Sequence, residues 1–244
     1  MGQRYYIELS YKGTNYHGWQ IQPNAISIQE DLNNALSTLL RENIETVGAG
    51  RTDAGVHARF FVAHFDSSNP NIDAENIVHR LNKFLSQDIA VKKIYKVDNS
   101  AHSRFDALSR TYKYYICKNK DPFNKDFSYY FPFELDINKI NQACKTLFNY
   151  NDFTCFSKLH TDTKTNNCKI IMAECIGKND MIIFTISADR FLRNMVRAIV
   201  GTLIEVGQNK ISINEFIQII ESKNRSNAGK SVPAKGLFLE DIEY

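Results

Sequence analysis

A chain of 244 residues, 43% hydrophobic and 23% charged, holds enough apolar sequence for a substantial core in one large domain or two small ones. That composition excludes a low-complexity or disordered polypeptide, and no apolar run approaches membrane-span length, so no membrane partner is expected. The formal net charge of +3 excludes no partner by itself. The start, "MGQRYYIELS", goes straight into strand-like sequence without a signal segment, so the expected location is cytoplasmic. Cys117, Cys144, Cys155, Cys168 and Cys175 are odd in number and contain no CxxC pair. Buried, reduced thiols are predicted rather than a zinc site or a disulfide framework. Arg104, Arg110, Lys113, Lys118, Lys120 and Lys125 face only Asp106 and Asp121 between Ala101 and Lys125. Such a stretch suits a polyanion, and equally a solvated strand face.

In chain order, "RYYIELSY" predicts a strand. "SIQEDLNNALSTLL" predicts a helix, with Ser27 and Glu30 as a capping box and Ile28, Leu32, Leu36 and Leu39 at helical spacing. "NIETVGAG" reads as a strand running into a glycine loop, and "ARFFVAHFD" as another strand. Asp73 starts a helix with Ile77, Leu81 and Leu85 on one face, and "DIAVKKIYKV" closes the half as a strand. The order β-α-β-β-α-β then recurs. "RTYKYYICK" is a strand, and Asp136 caps the helix "DINKINQACKTLFNY". "CKIIMAECI" and "MIIFTISA" make a hairpin around Gly177-Lys178-Asn179-Asp180. "RFLRNMVRAIVGTLIEVG" reads as one long helix from Arg190, Ser212 and Glu215 cap "INEFIQIIES", and "GLFLEDIEY" is the last strand. The prediction is an α+β fold of two ferredoxin-like halves, 1-100 and 101-244, packed together with a mixed, mainly antiparallel sheet and a central active-site cleft.

The stretch "VGAGRTDAGVHA" sets Arg51, Asp53 and His57 among Gly48, Gly50 and Gly55. It lacks the lysine of a P-loop, and Asp53 stands where a dinucleotide loop requires glycine. The glycines allow tight backbone geometry and close approach to a ligand. Asp53 is then a nucleophile, a general base or a metal ligand, and a metal fits poorly because no acidic or histidine cluster accompanies it. A loop-stabilising Arg51–Asp53 ion pair explains the pattern equally well. His57 reads better as a hydrogen-bonded histidine at a strand start than as a base. Trp19 reads as a packing anchor.

These residues resemble a known family. "GRTDAGVHA" is similar to the signature of the tRNA pseudouridine synthase A family. "YKGTNYHGWQ", "RLNKFLSQDIAV", "HSRFDALSRTYKYYI", "FLRNMVRAIVG" and "PAKGLFLEDIEY" resemble further family motifs, in family order and over nearly the whole chain. The resemblance implies that Asp53 is the essential aspartate and Arg51 the loop arginine that helps displace the target base. It implies that Tyr112 stacks on the target uracil and that Arg197 pairs with the aspartate. It also implies isomerisation of uridine to pseudouridine at positions 38, 39 and 40 of the tRNA anticodon stem-loop, by a homodimer with no cofactor and no metal. Two departures stand out: Phe60 and Phe61 replace the usual small residue and Gln, and Lys12 replaces the common Asp.

The chemistry is compatible with these roles. Breaking the N1–C1′ bond and joining C5 to C1′ gives a carboxylate three routes: attack on the sugar, attack on the base, or proton removal from the sugar. Arg197 suits a carboxylate in a water-poor site because a guanidinium stays charged and its planar fork matches two oxygens. On the predicted long helix Arg190, Arg193 and Arg197 share an edge at i, i+3 and i+7. Periodicity alone makes that edge a snorkelling basic stripe; with the resemblance, Arg190 and Arg193 become RNA-phosphate contacts, and Lys12 an RNA or loop contact. Tyr112 shares a strand face with Tyr114 and Ile116. An RNA-binding module without catalysis is the first competing reading, but it would not need the intact Asp53. A glycoside hydrolase is the second, and it would want two carboxylates flanking a bond where the loop has one.

Overall fold

Tyr5, Ile7, Leu9 and Tyr11 alternate along "QRYYIELSY", and in the computed structural model, which describes residues 2–158 and 165–244, they form the buried face of the first strand, β1 (Gln3–Tyr11). Ser27 accepts a hydrogen bond from the Glu30 amide and starts helix α1 (Ile28–Leu40). Its buried face is Ile28, Leu32, Ala35 and Leu36, and Arg41 ends it in the left-handed region (φ 58°). Only Val47–Gly48 of the predicted second strand pairs, as β2, against β3 (His57–Ser67). Asp73 caps α2 (Ala74–Phe84) through the Asn76 amide, and β4 is Ile89–Lys96. β4 and β3 both pair antiparallel with β1.

The second series begins with β5 (Ser109–Cys117) and a two-residue strand, β6 (Tyr129–Tyr130), which pairs parallel with it. Asp136 caps α3 (Ile137–Thr146) as expected from the sequence. β7 (Ile170–Lys178) and β8 (Met181–Ala188) form the expected hairpin, turning through Asn179 at φ 55°. β8 lies between β7 and β5. Then follow α4 (Met195–Gly207), α5 (Ile213–Glu221) and β9 (Leu237–Glu243). The complete reciprocal capping box is at α5, between Ser212 and Glu215.

Among the described residues, nine strands and five helices in mixed, mainly antiparallel pairing make an α+β fold. The chain divides into two compact units, one of Met1–Leu108 with Leu239–Tyr244, the other of Ser109–Phe238. In the first, the order β1-α1-β2-β3-α2-β4 is followed and the strands lie β4-β1-β3, with the end of β9 beside β3. Its core takes Tyr5, Ile7 and Leu9 from β1, Phe61 and Phe65 from β3, and Leu32 and Leu36 from α1. The second unit follows β5-β6-α3-β7-β8-α4-α5, with α3 against β7 and α4, and Phe153, Phe156 and Phe216 among its fully buried side chains. All five cysteines are buried free thiols. Burial pushes those of Cys155, Cys168 and Cys175 up to about 12, so none of these three is an ionised nucleophile near neutrality.

Candidate active site

In the first unit, Asp53 lies on the loop between β2 and β3, half-buried, between buried Thr52 and exposed Ala54. Its own carbonyl accepts from the Val56 amide at 3.1 Å, closing a tight turn that Gly55 completes at φ 79°. A second segment, Gly13 to Trp19, holds this loop from outside. The Tyr16 carbonyl accepts from the Gly55 amide at 3.2 Å, and the Trp19 amide donates to the Thr52 carbonyl at 3.4 Å. Gly18 is required for that contact. Its φ is 91°, and a Cβ there would stand 2.2 Å from the Thr52 carbonyl oxygen. The Tyr11 phenol oxygen meets Thr52 Oγ1 at 2.9 Å.

His57 is 1% exposed, and its Nδ1 accepts from the Gly13 amide at 3.1 Å. It is the strand-start histidine expected from the sequence, and that bond ties the two loop segments together. Trp19 is a packing anchor: it is buried and stacks on Phe61 with ring centroids 4.2 Å apart. Phe61, one of the two departures from the family pattern, is fully buried and also meets Tyr11 edge-on at 5.5 Å. Phe60 points its ring to the Lys92 ammonium at 5.8 Å. The Trp19 ring occupies the space a Cβ on Gly48 would need, so that glycine serves packing rather than a ligand. Arg51 is exposed, and the Lys12 amide donates to the Asp88 carbonyl at 2.8 Å.

In the second unit, Tyr112 stands on β5 opposite Ile186 of β8, half-buried, its ring edge-on to Phe191 at 5.2 Å. Its same-face neighbours Tyr114 and Ile116 are core residues. Tyr114 donates to the Pro233 carbonyl at 2.8 Å. Burial pushes its phenol well above the ordinary range, against the opposing charge of Arg197.

Arg197 lies in the first turn of α4, half-buried. Its Nε donates to the Val232 carbonyl at 2.8 Å while the Val232 amide donates back to the Arg197 carbonyl at 3.2 Å. The segment that carries Val232 is lashed down in turn. Arg225 donates to the Ala228 and Gly229 carbonyls and to Ser231 Oγ, and Asn194 Nδ2 donates to the same Ser231 oxygen at 2.6 Å.

The long helix predicted from Arg190 is a correction. α4 begins at Met195, so Arg190 and Arg193 precede it and share no helical edge with Arg197. Two local causes divert the chain. Asp189 Oδ1 takes the Arg190 amide at 2.7 Å and the Lys169 amide at 2.8 Å, and Asn194 sits in the left-handed region at φ 66°. Arg193 is exposed, and its carbonyl accepts from the Lys158 amide at 3.1 Å; Arg190 is half-buried. Leu192, Met195, Val196, Ile199, Val200 and Leu203 are buried.

Residues 9–106 and 143–244 match the tRNA pseudouridine synthase family. The chain is 57% identical over 243 residues to the "tRNA pseudouridine synthase A" of Bacteroides fragilis, covering 99% of this chain and 96% of that protein. It is 54% identical over 242 residues to the protein of the same name from Parabacteroides distasonis, with the same coverage of both chains. To that of Clostridium kluyveri it is 42% identical over 240 residues, covering 98% of each. Such agreement defines an enzyme of the isomerase class. The chain belongs to the tRNA pseudouridine synthase family. No helix among the described residues is long and apolar enough to cross a membrane.

Proposed function

We propose that this enzyme converts uridine to pseudouridine at positions 38, 39 and 40 in the anticodon stem-loop of tRNA, with the Asp53 carboxylate as the catalytic group. The observation that carries the proposal is the Asp53 loop. A carboxylate two residues before a positive-φ glycine is held by backbone bonds at Thr52, Asp53 and Gly55, and by the glycine-tight contact at Gly18. A reacting group needs that kind of fixed presentation, because its geometry must be set before the substrate arrives. The names of the relatives support the substrate class and the reaction.

In this reading Tyr112 offers its ring to the extruded uracil, a stack worth about 1–3 kcal/mol at comparable single-stranded sites. Arg197 is the guanidinium that pairs with Asp53. Extrusion of the nucleotide costs a few kcal/mol, and Arg51 helps to displace the target base. Arg190, Arg193 and Lys12 are phosphate or loop contacts. Two copies of the chain work as a homodimer in the cytoplasm, without cofactor or metal.

The test is mass-spectrometric mapping of pseudouridine in unmodified tRNA transcripts, with wild type and Asp53→Asn. The expected result is pseudouridine at positions 38, 39 or 40 with wild type. The variant should make none while still retaining tRNA on a filter. Turnover by Asp53→Asn near the wild-type rate would remove Asp53 from the chemistry.

A further inference from the structure

The loop bearing Asp53 is gripped through the residue before it. Thr52 is 8% exposed, and its hydroxyl forms a buried bond with the Tyr11 phenol. Tyr11 ends β1 and is itself 4% exposed, its ring set between Phe61 and Trp19 at 5.5 Å and 6.4 Å. The carbonyl of the same Thr52 takes the Trp19 amide and abuts Gly18. The peptide that leads into Asp53 is thus held on its side-chain side by β1 and on its carbonyl side by the following loop. Phenylalanine and valine have almost the shapes of tyrosine and threonine. A buried hydroxyl pair contributes little more to stability than an apolar pair of the same outline. What the hydroxyls add is direction, because their bond is short and angle-dependent where an apolar contact is not.

We propose that Tyr11 and Thr52 are positioning residues for the isomerisation. Their hydroxyl–hydroxyl bond sets the rotation of the Thr52–Asp53 peptide and so the line along which the carboxylate meets the target nucleotide. The inference rests on the reading of Asp53 as the catalytic group. Neither Tyr11 nor Thr52 is assigned a contact with reacting atoms. Misplacement of a reacting group by about 1 Å costs on the order of 10²-fold in rate.

The test measures kcat and KM on an unmodified tRNA transcript, with thermal melts, for Tyr11→Phe, Thr52→Val, Thr52→Ser and the double variant Tyr11→Phe/Thr52→Val. Tyr11→Phe and Thr52→Val should each lower kcat by about 10- to 100-fold with KM changed by less than about two-fold. Thr52→Ser, which keeps the hydroxyl, should retain most of kcat. The double variant removes both hydroxyls of the pair. It should therefore melt nearer to wild type than Thr52→Val, yet remain as slow as either single variant. Recovery of kcat together with melting temperature in the double variant would show that the pair serves stability alone and would overturn the proposal, as would unimpaired kcat in both single variants. Asp53→Asn separates the two layers. An active Asp53→Asn sinks the reading of Asp53 and this inference with it, whereas an inactive Asp53→Asn beside a fully active Tyr11→Phe sinks only the inference.

Discussion

His64 on β3 is 4% exposed and lies between charged neighbours. Its Nδ1 contacts Ser103 Oγ at 2.8 Å, and the His102 ring stands edge-on at 4.7 Å. Burial first, and then the charges of Arg4 and His102, push its pKa down to about 4; Asp66 and Asp106 oppose them weakly. The unfolded chain therefore takes up a proton near pH 6.5 that the folded chain refuses until about pH 4. Stability falls as pH drops through that window, and it is fully kept above it. His64→Gln should flatten the fall between pH 7 and pH 5 in urea titrations; an unchanged slope would show that His64 is not its source.

Other single residues varied in how much they disclosed beforehand. His57 was legible because a strand start names a residue. Tyr11 and Thr52 were not, since they meet across 41 positions of sequence with no local signal. Phe61 looked like an anomaly beside its family, and only its stack on Trp19 gives it a place.

Among the elements, α4 shows where periodicity ends. The burial of its apolar side chains from Leu192 onward was legible, because burial follows helical spacing. Its start was not, because capture of the Arg190 amide by Asp189 and the left-handed Asn194 are contests between side chain and backbone that no hydrophobic pattern records. The caps at Asp73, Asp136 and Ser212 were legible for the opposite reason: there the competing side chain marks the boundary. β6, two residues long, has no period to read.

Gly201 tests the same helix. In a helix interior Gly→Ala ordinarily stabilises by about 1 kcal/mol. Here a Cβ would lie 1.9 Å from the Lys230 carbonyl oxygen, so the neighbouring segment must shift. Gly201→Ala should therefore lower stability rather than raise it. It should also slow turnover, because Val232, which fixes Arg197 Nε, moves with that segment. A variant that melts higher than wild type would refute the contact.

For the molecule as a whole, the chain enters the first unit twice, at its beginning and again after the second unit. The last six residues belong with the first unit. The Leu108 amide donates to the Glu243 carbonyl at 2.7 Å, Arg59 pairs with Glu240 at 3.1 Å, and Tyr244 donates to the Ser103 carbonyl at 2.7 Å. Leu239 is 2% exposed. Leu239→Ala should destabilise by about 2–5 kcal/mol. In hydrogen-exchange mass spectrometry the loss of protection should appear in β1 and β3. An increase confined to peptides of 109–238 would contradict the assignment of Leu239 to the first unit.

Synthesis runs from the N-terminal side, so Leu239–Tyr244, which complete the Asp53 lobe, emerge only after Ser109–Phe238. The lobe that begins first is therefore finished last, with Ser109–Phe238 translated in between. A nascent fragment that stops before Leu239 holds the carboxylate loop in an incomplete sheet, and premature termination anywhere in the second lobe leaves both lobes unfinished.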